Sequence, residues 1–207
     1  MKVLHIDCSI RNERSVSKDL SKFFVTRLQR KFEQVAIDYL DLSVTTPSHP
    51  SALFIQGNYT IPEERTAEMR QALIESEALV DRLHDASLYV IAMPMYNFSV
   101  PSNFKAYIDN IVRIGRTFHK VDGAYEGLLK NKKVYVINTR GADFSDGFMI
   151  ANGMDQLQPY VKTVFGFLGL HDVTFINVHP VQFADQDIRA KAIEKARQEI
   201  TAIINNL

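Results

Sequence analysis

The chain of 207 residues contains no tryptophan and a single cysteine, Cys8. One thiol cannot close an internal disulfide, a pattern that fits a reducing compartment such as the cytoplasm. Charge of one sign is not in excess either, because 24 Lys and Arg meet 24 Asp and Glu. Without a basic or acidic surplus there is no broad field to hold nucleic acid or anionic lipid, so small-molecule partners are expected. Long hydrophobic runs are missing as well. The opening MKVLHIDCSI includes His5 and Asp7 and is too short an apolar run for a secretory signal. Residues 86–104 carry no charge, yet Pro94, Asn97, Pro101, Ser102 and Asn103 interrupt them, against the pattern of a membrane span. No Gly-x-Gly occurs, so the dinucleotide fingerprint is absent, and no Gly-x-Ser-x-Gly occurs to make a nucleophile elbow. The histidines, at 5, 49, 84, 119, 171 and 179, are too scattered for a metal site, and no metal is expected.

What is present is a repeated alternation. Runs rich in branched or aromatic residues begin at Val3 (VLHI), Ala36 (AIDYL), Leu88 (LYVIAM), Val134 (VYVIN) and Val173 (VTFINV). Helix-period segments separate them. Val16, Leu20, Phe23, Phe24 and Leu28 form one stripe over 15–32, and Phe104, Tyr107, Ile108, Ile111 and Val112 another over 101–112, with Pro101 in the first turn. Weaker stripes run over 62–84 through Met69, Leu73, Val80 and Leu83, and over 184–205 through Ile188, Ala192, Ala196, Ile200 and Ile203; a further helix is expected near 152–169. Parallel neighbours need a crossover, which a helix supplies. The pattern therefore predicts an α/β fold, a doubly wound five-stranded parallel sheet with helices on both faces, in one domain spanning 1–207. Residues 43–61, with Pro47, Pro50 and Gly57, are expected to be a long irregular connection, either functional or a surface excursion.

In such sheets the ligand lies beyond the carboxyl ends of the strands. The loop after the first strand, CSIRNERSVS, clusters Ser9, Ser15 and Ser17 at a helix start, where hydroxyls and free N–H groups suit an anion or simply cap the helix. After the third strand, MPMYNF places Met95, Tyr96, Asn97 and Phe98 between two prolines, a wall for a flat heteroaromatic ring or a plug for the sheet end. The fourth ends in Thr139, Arg140, Gly141 and Ala142, with Arg140 facing a phosphate or solvent.

Taken together, KVLHIDCSIRNERSVS, MPMYNFSVPSNFKAYIDNIVRIGRTF, KKVYVINTRGADF and GFLGLHDV resemble the FMN-dependent NADH azoreductases over nearly the whole chain. The resemblance implies a flavodoxin-like fold and a homodimer that binds FMN and uses NADH as a transient co-substrate to reduce quinones and azo compounds. It implies that Ser9, Ser15, Val16 and Ser17 bind the flavin phosphate. Met95, Tyr96, Asn97, Phe98, Thr139, Arg140, Gly141 and Ala142 would line the isoalloxazine, and Phe118 would contact substrate or else be a core aromatic. The family more often has Ser-Arg-Gly-Gly where this chain has Thr139 to Ala142, and Arg-Tyr where it has His119 and Lys120. No side chain is assigned as catalytic, since alternating hydride transfer asks the protein chiefly to orient two rings.

Two other readings stay open. Cys8, five intervening residues, Arg14 and Ser15 resemble the phosphate loop of the low-molecular-weight tyrosine phosphatases, in which a thiolate attacks phosphorus. This loop has no glycine, however, and the chain has no Asp-Pro pair for that family's general acid. A flavodoxin-like electron carrier or FMN-binding regulator is the second.

Overall fold

A computed structural model gives the structure of residues 1–11, 14–145 and 147–207. Asn12 and Glu13 of the serine-rich loop and Asp146 lie outside the described residues. The strands are β1 (Lys2–Asp7), β2 (Ala36–Asp41), β3 (Leu88–Pro94), β4 (Phe118–Val121), β5 (Ala124–Gly127), β6 (Lys133–Thr139) and β7 (Asp172–Val178). The helices are α1 (Val16–Lys31), α2 (Ala52–Tyr59), α3 (Ala67–Asp85), α4 (Ser102–Ile111), α5 (Phe148–Ala151), α6 (Leu157–Phe167) and α7 (Gln186–Asn205).

All five expected strands form and pair in parallel in the order β2-β1-β3-β6-β7. Alternation along them sorts two cores. Leu4 and Ile6, Tyr89 and Ile91, and Val134 and Val136 face one side, in register with one another, and pack against Leu79 and Leu83 of α3, Phe104 of α4 and Phe165 of α6. Val3, Leu88, Val90, Tyr135, Ile137 and Ile176 face the other side, under Leu20, Phe24 and Leu28 of α1 and Ile200 of α7. Each large apolar side chain so buried contributes about 1.5–3 kcal/mol, which is why β3, buried along its whole length, is one unbroken apolar run.

The stripe of α7 differs from expectation at its start. Ala196, Ile200 and Ile204 are buried, with Ile203 partly buried against the same core, while Ile188 is exposed. Pro101 stands just before the first residue of α4 rather than inside its first turn. Residues 43–61 are not wholly irregular, because Ser51 accepts the Phe54 N–H at 3.1 Å and starts α2, which packs on α3.

The β4–β5 hairpin, absent from the sequence reading, is antiparallel and turns at Asp122 (φ 50°) and Gly123 (φ 84°). Its base is fixed at Gly127, where a Cβ would lie 2.1 Å from the backbone of Leu168 and Gly169. Among the described residues no helix is long and apolar enough to cross a membrane, and no group of three or more His, Cys, Asp or Glu is placed to hold a metal.

Candidate active site at the carboxyl ends of the strands

The loops after β1, β3, β6 and β7 surround one cavity of about 880 Å³, a size usual for small-molecule sites. The β1 loop begins from a fixed base. Cys8 N–H donates to Ala92 O at 2.9 Å, and the Asn103 side-chain amide donates to Cys8 O at 3.1 Å. Beneath it, buried Asp7 accepts from Ser21 of α1 at 2.9 Å and from Tyr39 of β2 at 2.8 Å, with His5 Nε2 3.2 Å away. These contacts lock α1 against the sheet end.

Ser15, extended at φ −90° and ψ 108°, caps α1 by accepting the Lys18 N–H, and its Oγ lies 3.2 Å from that of Ser17. The first-turn N–H groups of a helix have no intrahelical partner, and the helix dipole adds positive charge there. Ser9 Oγ accepts the Arg11 N–H at 3.2 Å and sits 3.4 Å from Tyr96 Oη, which brings the β1 and β3 loops together.

The β3 loop is a tight reversal. Tyr96 and Ser99 exchange two backbone hydrogen bonds of 3.1 Å, and Asn97 (φ 46°) and Phe98 (φ 70°) between them both lie in the left-handed region, as in a type I′ turn. A bulky side chain there is strained by about 1–3 kcal/mol, a conformation held by its neighbours. Met95 N–H donates to Thr139 O at 2.8 Å, and Gln156 N–H donates to Phe98 O at 2.9 Å.

The Arg140 side chain is turned away from solvent and does not line the cavity. It is buried, donates to Asp155 Oδ2 at 2.8 Å and lies 4.8 Å from the centre of the Phe144 ring. Burial pulls its guanidinium below the ordinary value, with the Asp155 carboxylate opposing. Asp155 Oδ1 meanwhile accepts the N–H groups of Leu157 and Gln158 at the start of α6.

Ser9, Ser15, Val16, Met95, Tyr96, Asn97, Phe98, Thr139, Gly141 and Ala142 all line the cavity; Ser17 and Arg140 do not. Phe118 is not part of the lining either. It is buried in the hairpin, its ring 4.8 Å from Phe167 and 6.0 Å from Tyr125, and is a core aromatic of this chain. His119 and Lys120 stand beside it on β4, where His119 pairs with Glu126 across the hairpin at 3.1 Å and Lys120 lies over the Tyr125 ring. The β7 loop, overlooked in the sequence, supplies Val181, Gln182 and Phe183, and α7 supplies Arg189. Its position after a fifth parallel strand was the available signal. The charged residues lining the cavity, among the described residues, are Arg11, Arg14 and Arg189, with no carboxylate.

Cys8 is fully buried, and burial, reinforced by the Asp7 and Asp41 carboxylates, pushes its thiol well above the ordinary value. A thiol held protonated and out of the cavity is not a phosphate-attacking nucleophile, and the phosphatase reading falls with it.

Residues 1–204 match the family model described as flavodoxin-like fold. The chain is 40% identical over 204 residues to FMN-dependent NADH:quinone oxidoreductase 1 of Trichormus variabilis, covering 99% of this chain and 96% of the relative. To the FMN-dependent NADH:quinone oxidoreductase of Nostoc punctiforme it is 41% identical over 198 residues, covering 96% and 95%. Among solved structures, an azoreductase from Bacillus anthracis superposes with a TM-score of 0.89 at 23% identity over 100% of both chains. A second, from the same species and solved with FMN, gives 0.84 at 21% identity over 98% of this chain and 99% of its own. At those identities the structural likeness concerns the fold.

Proposed function

Because the chain belongs to the flavodoxin-like family of FMN-dependent NADH:quinone oxidoreductases, we propose that it is itself an FMN-dependent NADH:quinone oxidoreductase with azoreductase activity, formed by one domain over residues 1–207. The observation that carries this reading is the meeting of the β1, β3 and β6 loops around one cavity whose charged lining, among the described residues, is entirely cationic.

The residues present fit the cofactor. Ser15, Val16 and Ser17 at the start of α1, with Ser9 just after β1, would hold the dianionic phosphate through the Ser9 and Ser15 hydroxyls and first-turn N–H groups, where a fixed dipole favours negative charge. Met95, Tyr96, Asn97 and Phe98, with Thr139, Gly141 and Ala142, would line the flat ring; Arg140, outside the lining, would support the β6 loop through its pair with Asp155. FMN bound there would supply two-electron, alternating hydride chemistry between NADH and a quinone or azo acceptor. What the chain supplies is placement. The strained turn at Asn97 and Phe98 is held on one side by Thr139 and on the other by Gln156, so the walls are rigid before any ligand enters. No His, Lys, Asp or Glu is found among the described lining residues, in keeping with a site that needs no side-chain acid or base.

Tyr59, Ile61 and Tyr125 are exposed apolar groups suited to burial against a second copy, so we place the working enzyme in a homodimer. The single buried cysteine suits the cytoplasm. Steady-state rates with NADH and menadione test the function. Alternating transfer predicts parallel double-reciprocal lines; intersecting lines would contradict it, and no turnover with free NADH would favour an electron carrier. Light scattering should give twice the 23.6 kDa chain mass, and an active monomer would remove the dimer.

A further inference from the structure

The β7 loop forms a wall that neither the phosphate nor the ring contacts above require. Gln182 and Phe183 donate their backbone N–H groups to Gly141 O at 3.2 and 2.9 Å, and the Arg11 guanidinium reaches from the β1 loop to Gln182 Oε1 at 2.8 Å. Phe183 is thereby seated on Gly141, where a Cβ would come within 3.0 Å of its ring. The ring nevertheless stays 74% exposed while lining the cavity. A large aromatic held by its backbone yet left uncovered on a cavity wall is poised to stack against a planar ligand.

Arg189, one turn into α7, lines the same cavity, and its guanidinium has no ion-pair or hydrogen-bond partner among the described residues. Arg11 and Arg14 line it from the β1 loop, Arg11 with its guanidinium committed to Gln182. Arg189 is a third cation in the same lining, the one carried by the helix that follows Phe183.

We propose that Phe183 and Arg189 are specificity-determining residues for the second substrate, Phe183 stacking on the acceptor ring and Arg189 favouring aromatic acceptors that carry a sulfonate or carboxylate. This inference rests on the flavoenzyme reading above. The flavin ring is assigned to the β3 and β6 loops, so a second ring entering the cavity meets Phe183 from the solvent side.

The test uses the FMN-loaded protein with 1,4-naphthoquinone, its 2-sulfonate, and the non-reducible probe naphthalene-2-sulfonate, whose binding is followed by perturbation of the flavin absorption. Arg189→Gln should lower the kcat/KM ratio of sulfonated to neutral quinone about tenfold and weaken naphthalene-2-sulfonate binding by a similar factor, the size of one charge-assisted contact. Arg189→Lys should restore most of that ratio. Phe183→Ala should weaken the probe about tenfold, whereas Phe183→Tyr should not. FMN affinity, titrated separately, should stay within about threefold of the parent. An unchanged ratio and unchanged probe binding overturn the proposal. Loss of FMN in either variant overturns it too, by placing these residues in the cofactor's site. A parent protein that binds no FMN would instead sink the flavoenzyme reading, together with this inference.

Discussion

Asp155→Ala should be among the most damaging single truncations near the site, although Asp155 does not line the cavity. Its carboxylate does two jobs, accepting two N–H groups at the start of α6 at 3.1 Å and pairing with buried Arg140 at 2.8 Å. Losing an N-cap costs about 0.5–2 kcal/mol. Leaving a buried guanidinium without its carboxylate costs about 3–5 kcal/mol. Arg140 keeps its stacking on Phe144 and a 3.3 Å contact to Asn177 Oδ1, so the two costs do not simply add, and about 3–5 kcal/mol in all is expected. At about 2–4 °C per kcal/mol for a chain of this length, Tm should fall roughly 6–20 °C. Arg140→Met is the control. It removes the charge, leaves Asp155, whose side chain is 15% exposed, free to hydrate, and keeps the α6 cap, so about 1–2 kcal/mol is expected. Urea unfolding of the apoproteins by circular dichroism, at one fixed protein concentration, measures both. If Asp155→Ala is no more costly than Arg140→Met, the buried pair is not what holds the β6 loop to α6.

Cys8→Ala should keep FMN and most quinone reduction, at about 1 kcal/mol in stability; a parent aryl phosphatase activity that the change abolishes would reverse the assignment of this loop. Ser15→Ala with Ser17→Ala should weaken FMN retention by about 1–3 kcal/mol in a flavin titration, and unaltered affinity would remove the Ser15 hydroxyl, and the Ser17 hydroxyl bonded to it, from the phosphate site. Asn97→Gly should preserve stability, since glycine accepts φ 46°, while Asn97→Ala costs about 1–2 kcal/mol; both should lower kcat/KM, and full activity in the glycine variant would show that the Asn97 side chain does not face the reacting rings. Asp41 has its carboxyl held below the ordinary range, because hydrogen bonds from Lys18 and Ser43 outweigh the opposing effect of burial. Its folded value lies below the unfolded one near 3.9, so its contribution is complete above that pH and drains away as pH falls through the folded value. Lys18→Met should therefore cost about 1 kcal/mol at pH 7 and distinctly less near pH 3 in urea unfolding; an equal cost at both would refute the coupling.

The five parallel strands were legible because each is a short branched or aromatic run, and the α1 stripe because Leu20, Phe24 and Leu28 recur at helical spacing onto one core. The hairpin was missed although Asp122-Gly123 carries a strong two-residue turn signal; its strands are four residues each and largely exposed, so no apolar alternation marks them. Pro47, Pro50 and Gly57 made 43–61 look broken, and the Ser51 cap that starts α2 is a single residue in that background. The misplacements have one physical origin. Arg140 beside a glycine looks like a rim residue until Asp155, fifteen positions on, is found folded against it, and Phe118 looks available until Phe167 and Tyr125 close around it. Partners brought from elsewhere in the chain decide whether a loop side chain faces ligand or core, and that pairing is not written locally. The meeting of the β1, β3 and β6 loops at one cavity was legible because the end of a parallel sheet is a place that topology alone specifies.

The most direct test of the account is anaerobic titration of the purified protein reconstituted with FMN. Added NADH should bleach the flavin band with an end point at about one NADH per bound FMN, and menadione added afterwards should restore it in full. A protein that takes up no FMN, or whose bound flavin NADH does not bleach, would contradict the assignment of this cavity.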